Sequence, residues 1–183
     1  MTNKILGFDL DGVIIDHAAL KMRLARQFGF ELALKQTPSE IIEKKLPMPI
    51  LRKIQHHLYD DSIISLLSPI MPGFKKIIKD ATKKEVPFFL ISRRRNADVA
   101  IRLLKFHKLW PKYFNKHNTF FVLNPEDKNA KAVEIGISHY IDDEFKVLES
   151  LADVKNKYLF DQFDVFKNID KYERIKSWQE FTI

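Results

Sequence analysis

The chain of 183 residues contains no cysteine. That excludes disulfides, thiolate nucleophiles and cysteine-ligated metal centres, and it suits a reducing compartment. No apolar run approaches the roughly 18 residues a membrane-spanning helix requires. The first segment is strand-like and contains aspartates, where a signal peptide would carry a basic start and a long apolar stretch. The expectation is a soluble, cytoplasmic protein with no membrane segment. There is no internal repeat and no low-complexity linker, and 45% hydrophobic content is ordinary for a globular core.

What is present begins with two aspartates one residue apart, where an apolar run breaks into a glycine turn: Ile5-Leu6-Gly7-Phe8-Asp9-Leu10-Asp11-Gly12-Val13. Residues at i and i+2 of a strand share a face, so the two carboxylates can converge on one ligand. Their mutual repulsion is relieved by a hard divalent cation such as Mg²⁺. Gly12 permits a tight turn and close approach of backbone to a bound group. The plainer reading is that both aspartates serve the turn, as Asp often does.

The net charge of +7 is unevenly placed. Between Met71 and His117 thirteen lysines and arginines face only Asp80, Glu85 and Asp98. Such a block attracts phosphorylated substrates or nucleic acid by field alone. It equally suits the solvated faces of two helices. The triplet Arg93-Arg94-Arg95 stands apart, because it follows a strand end directly.

Strand-like runs at Lys4–Leu10, Val86–Ser92, Thr119–Leu123, His139–Asp142 and Tyr158–Phe160 alternate with helical patterns at Gly73–Glu85, Asn96–Lys108, Lys128–Ile135 and Phe145–Ala152. That alternation predicts an α/β fold: a Rossmann-like, three-layer parallel-sheet core with ligands bound at the carboxyl ends of the strands. A last amphipathic segment, Asp170–Phe181, is expected outside the sheet with Trp178 inward. From Asp16 to Pro69 helix signals replace strands. His17–Phe30 is amphipathic, Thr37-Pro38-Ser39-Glu40 reads as an N-cap with a capping-box glutamate, and Pro47 and Pro49 break the chain before Ile50–Leu58. The expected organisation is a core of residues 1–15 and 70–183, with a small helical cap of residues 16–69 inserted after the first strand, above its carboxyl end.

Three further signals fall at strand or helix ends. The Ser92 hydroxyl ends a strand and can hold a phosphate oxygen or cap the following helix. Lys128 opens a helix, where the macrodipole disfavours a cation unless an anion is close. Lys131, one turn later, competes with it for that role. Asp142-Asp143-Glu144 ends a buried strand, at a cost unless a cation, an arginine or solvent compensates.

In order, Phe8-Asp9-Leu10-Asp11-Gly12-Val13, Ile91-Ser92, Lys128 and Ile141-Asp142-Asp143 resemble the four motifs of the haloacid dehalogenase-like (HAD) hydrolase superfamily. Ile91-Ser92-Arg93-Arg94-Arg95, the spacing from Lys128 to Asp142, and Tyr158-Leu159-Phe160-Asp161-Gln162 resemble its 5′-nucleotidase-like branch, in which a short helical cap follows motif one. The resemblance implies a phosphatase in which Asp9 attacks phosphorus and Asp11 is the general acid and base. Mg²⁺ would bind an Asp9 oxygen, the Asp11 backbone carbonyl and Asp143, with Asp142 reaching it through water or from behind. Ser92, Lys128, Arg93 and the N–H of Leu10 would hold the phosphoryl group. The implied substrate is a small phosphorylated metabolite such as a nucleoside monophosphate, selected by cap residues among His17, Arg23, Arg26, His56, His57 and Tyr59. Two alternatives stay open: a phosphatase of nucleic-acid ends that uses the basic face, and a non-catalytic binding protein on the same fold.

Overall fold

Leu6, Gly7 and Phe8 are buried on both faces, as a central strand of a parallel sheet must be. The computed structural model describes residues 4–167 and 170–183. Its strands are β1 (Leu6–Phe8), β2 (Phe88–Ser92), β3 (Thr119–Phe121), β4 (His139–Asp142), β5 (Asn156–Phe160) and β6 (Glu173–Ile175). They form one sheet in the order β3-β2-β1-β4-β5-β6, and every neighbouring pair is parallel. The α/β, Rossmann-like expectation is met. The strand order reverses at β1, so the crevice for a ligand opens at the carboxyl ends of β1, β2 and β4.

Helices follow α1 (Ala18–Gln27), α2 (Ser39–Ile42) and α3 (Met48–Tyr59) with α4 (Phe74–Lys83), α5 (Ala97–Phe106), α6 (Pro125–Ile135) and α7 (Phe145–Ser150). The first three lie between β1 and β2 and share an apolar cluster of their own, including Leu20, Leu24, Leu51, Ile54 and Leu58. Pro49 sits inside the first turn of α3, where its missing N–H costs nothing, so the helix starts earlier than the prolines suggest. Thr37 does not cap α2: its hydroxyl donates to the Leu34 carbonyl, and Glu40 accepts from the Lys146 backbone N–H on α7. The basic block divides. Lys75, Lys76, Lys79, Arg102 and Lys105 lie on exposed helix faces, whereas Arg93 and Arg94 turn inward.

The final segment is not purely external. Glu173–Ile175 adds β6 to the sheet edge, and Trp178 beyond it is 1% exposed. The indole packs against Phe8, Phe74, Phe160 and Phe181, and its Nε1–H donates to the Val13 carbonyl at 3.0 Å. The tail thereby supports the turn that carries the two aspartates. At Gly7 a Cβ would lie 2.4 Å from the Tyr140 ring, so only glycine lets that ring cross β1 and donate its hydroxyl to the Ile91 carbonyl at 3.0 Å.

Trp178→Phe leaves the Val13 carbonyl without its partner and thins the aromatic cluster. The expected cost is about 1–3 kcal/mol, read as a lower midpoint in urea denaturation. His107, at the end of α5, hydrogen-bonds the Ser68 carbonyl at 2.8 Å. Burial holds its pKa below the ordinary value of 6.5, against the pull of that carbonyl. A group so depressed takes up a proton on unfolding, so its contribution is present above the unfolded pKa and lost as pH falls from there through the folded one. The wild type should therefore lose stability on acidification from about pH 7 to about pH 5, and His107→Gln should lose less, measured by urea midpoints at both values.

Candidate active site

Asp9 follows β1 directly, its N–H bonded to the Ile141 carbonyl of β4 at 3.0 Å. The residue is 8% exposed, and its Oδ1 accepts from Lys128 Nζ at 2.6 Å. Its Oδ2 accepts the Asp11 N–H at 2.9 Å, a turn bond that aims the carboxylate. Lys128 lies in the second turn of α6, behind Pro125 and an Asn124–Asp127 capping box, and is fully buried. Its ammonium also reaches Asp142 Oδ2 at 2.8 Å and lies 5.5 Å from the Tyr140 ring centroid. The compensating anions demanded by a lysine early in a helix are thus Asp9 and Asp142. Lys131 instead pairs with Glu134 and lies over Phe120.

Burial pushes the Asp9 pKa up to about 7 while Lys128 pulls it down. Against a desolvation that would lower it, Asp142 and Asp9 hold the Lys128 ammonium well above its usual value. Ser92, at the end of β2, is buried and accepts the Arg94 N–H at 3.3 Å. It does not cap α5, because Asn96 does, accepting from the Val99 N–H at 3.3 Å. The Ser92 O–H therefore remains a donor for a ligand. The Leu10 carbonyl is taken by the Ile14 and Ile15 amides, leaving its N–H as the group it can offer.

Asp11 is held differently. Arg94 Nε donates to Oδ2 at 2.9 Å and Nη2 to Oδ1 at 2.6 Å, while His17 Nε2 meets Oδ1 at 2.6 Å. Although burial alone would raise it, Arg94 and His17 hold the Asp11 carboxyl far below the usual carboxylate range. His17 is anchored on its other nitrogen by Ser68 Oγ at 2.6 Å, and the Arg94 guanidinium lies over the Tyr59 ring at 5.1 Å. Arg93 donates to Glu144 Oε2 at 2.6 Å.

Asp9, Asp142 and Asp143 each place a carboxylate oxygen so that the three lie within 4.8 Å of one another. Burial, then Glu144, Asp142 and Asp9, hold the Asp143 carboxyl well above its ordinary value. Gly12, at φ +83°, makes room for it: a Cβ there would lie 2.2 Å from Asp143 Oδ2. Three carboxylate donors around one point, two of them sharing the single Lys128 ammonium and the third without a cation at hydrogen-bond distance among the described residues, fit a hard cation such as Mg²⁺.

Asp9, Asp11, Arg93, Arg94 and Glu144 line a cavity of about 730 Å³, walled on its other side by α2 and α3 residues that include Tyr59 and His56. His17 and Tyr59 are thus brought to the site. Arg26 pairs with Glu31, His57 stacks on Phe28, and Arg23 is exposed. Two residues that sequence reasoning did not single out also line the cavity: Arg94, hidden inside its triplet, and Lys21 on α1. Lys21 lies four positions after His17, on the same helix face, which is the one signal that could have pointed to it.

Lys128→Met would leave Asp9 and Asp142 buried with no counter-charge. The expected destabilisation is about 3–5 kcal/mol in urea denaturation without metal. Lys131→Met should change the midpoint by less than about 0.5 kcal/mol. MgCl₂ should raise the melting temperature of the wild type, and Gly12→Ala should abolish that rise.

No family model and no curated protein matches the sequence. Solved structures do match. A HAD hydrolase of family IA, variant 3, from Entamoeba histolytica superposes with a TM-score of 0.67 at 14% identity, covering 98% of this chain and 96% of that one. A haloacid dehalogenase-like protein from Agrobacterium tumefaciens gives 0.64 at 17% identity, covering 96% and 94%. A putative phosphoglycolate phosphatase from Lactobacillus plantarum gives 0.64 at 11% identity, covering 98% and 97%. Over nearly its whole length, this chain has the fold of the HAD-superfamily hydrolases.

Proposed function

We propose that the protein is a Mg²⁺-dependent phosphomonoester hydrolase working through an aspartyl-phosphate on Asp9. The observation that carries this reading is the Asp9 carboxylate at the mouth of the central strand, bonded to Lys128 at 2.6 Å and clustered with Asp142 and Asp143. Asp9, Asp143 and the Asp11 backbone carbonyl would hold Mg²⁺, with Asp142 completing the shell through water. Bound there, the ion supplies charge neutralisation for the phosphoryl oxygens.

In the first half-reaction an Asp9 oxygen bonds to phosphorus as the ester P–O bond breaks. The leaving oxygen carries off the electron pair and takes a proton from Asp11. In the second, water attacks phosphorus, Asp11 accepts its proton, and the Asp9–phosphorus bond breaks to release phosphate. Lys128, the Ser92 hydroxyl and the Leu10 N–H position the phosphoryl group, which is most of what a loose transition state requires. With Arg94 clamped on it, Asp11 is ionised and ready for the second step. The first step requires that clamp to loosen.

Residues 16–69 act in this reading as a cap whose helices wall the cavity. The 5′-nucleotidase-like branch supplies a nucleoside monophosphate as the first substrate to try, and about 730 Å³ accommodates one. Purified protein should release phosphate from an aryl phosphate in MgCl₂. Chelator should abolish that release, and Asp9→Asn should lower kcat by at least about a thousandfold, since a nucleophile is lost. A wild type that stays inactive across nucleotides, sugar phosphates and aryl phosphates with Mg²⁺ would refute the reading.

A further inference from the structure

The other inward-turned cations around the cavity each have a carboxylate at hydrogen-bond distance: buried Lys128 has Asp9 and Asp142, half-buried Arg93 has Glu144, and buried Arg94 has Asp11. Among the described residues Lys21 does not. It is 8% exposed, and within that set its ammonium donates to one acceptor, the Thr37 backbone carbonyl at 3.0 Å, while Asp143, Asp11, Glu144 and Asp16 act on it only at longer range. An ammonium has three N–H groups, so two remain, on a side chain that lines the cavity. The structure holds a second unused donor set there. Arg94 is 4% exposed and spends Nε and Nη2 on Asp11, while Nη1 has no partner among the described residues. Both residues are tied to His17: Arg94 Nη2 lies 3.3 Å from its Nε2, and the Lys21 backbone N–H donates to its carbonyl at 2.8 Å.

A buried cation left short of acceptors is costly, and two in one cavity wall form a ready place for an anion. Neither belongs to the group that would hold the transferring phosphate. That group is Lys128, Ser92, Arg93 and Leu10, and Lys128 is already engaged on the Asp9 side.

We propose that Lys21 Nζ and Arg94 Nη1 form a second anion site, which binds an acidic group on the alcohol part of the substrate. Resting on the phosphatase reading above, this narrows the substrate class to phosphomonoesters that carry a further carboxylate or phosphate. Arg94 then has two tasks, one edge holding Asp11 and the other the substrate.

The test compares matched esters with the full-length protein in MgCl₂. Glycerol 3-phosphate and 3-phosphoglycerate differ only by a hydroxymethyl group against a carboxylate. Propane-1,3-diol monophosphate and bisphosphate differ by a second phosphate, and a nucleoside 5′-monophosphate represents esters with an uncharged base. The acidic member of at least one pair should have the higher kcat/KM, by about tenfold to a hundredfold, as a charge-assisted hydrogen bond implies. Which pair responds distinguishes a carboxylate from a phosphate. Lys21→Met should collapse that ratio to within about threefold, and Lys21→Arg should restore part of it. The rise in melting temperature of each protein with the same esters, in chelator, reads binding without turnover. Hydrolysis of all esters with no preference would overturn the second site and leave the phosphatase reading intact. An equal loss on every ester in Lys21→Met would also overturn it, by placing Lys21 on the reacting phosphate. Selective binding of acidic esters with no hydrolysis would uphold the site and refute the phosphatase.

Discussion

The Lys128 ammonium, held between Asp9 at 2.6 Å and Asp142 at 2.8 Å, is the contact on which the rest of the site depends. Three charges are taken out of water there, which is tolerable only when the geometry is good and the remaining bonds are made. Those remaining bonds come from backbone. Asp9 takes the Asp11 N–H, and Asp142 takes the Glu144 N–H at 3.0 Å. Two carboxylates at the ends of adjacent strands are thereby locked to a helix on the flank of the sheet. A lysine in the second turn of α6 is unfavourable for the helix alone and favourable only in this setting.

The scaffold is arranged around that contact. Gly7 allows Tyr140 to lie across β1, and the ring in turn supports Lys128. Gly12 clears space for the Asp143 carboxylate, which is otherwise held high by burial and by neighbouring acids. Trp178, from the last segment of the chain, closes on the carbonyl of Val13 and fixes the turn from below. On the other side, Arg94 neutralises Asp11 and His17 hydrogen-bonds it. The two aspartates therefore sit one residue apart in opposite electrostatic settings, Asp9 raised and Asp11 depressed. Separation of that kind is what allows two identical side chains to take different parts in one reaction.

Much of this was legible in the sequence, because the apolar runs into Asp9 and Asp142 need no long-range information. The pleat expected to set Asp9 and Asp11 on one face does not do so: β1 ends at Phe8, and Asp11 sits in a turn held by its N–H on Asp9 Oδ2. The helix-dipole argument marked Lys128 as needing an anion, but only the fold says which anion, and only the fold separates it from Lys131. Arg94 was hidden by its neighbours: three arginines in a row carry no period, and which one turns inward depends on how the chain leaves β2. Lys21 was masked by the ordinary expectation that a lysine on an amphipathic helix faces water. The strand Glu173–Ile175 escaped because three residues with a charged pair give no alternation to read. The Thr37 cap failed for a different reason, since its hydroxyl found a nearer acceptor in Leu34.

The central claim is that Asp9 becomes covalently phosphorylated. The most direct measurement is acid quenching of the enzyme during turnover of a ³²P-labelled phosphomonoester, followed by peptide mapping. The account predicts a base- and hydroxylamine-labile phosphate on the peptide containing Asp9. With an aryl phosphate, whose leaving group needs no acid, the label should rise in Asp11→Asn, which lacks the base for the second step, and be absent in Asp9→Asn. Turnover with no label on Asp9, or with label on another residue, would contradict it.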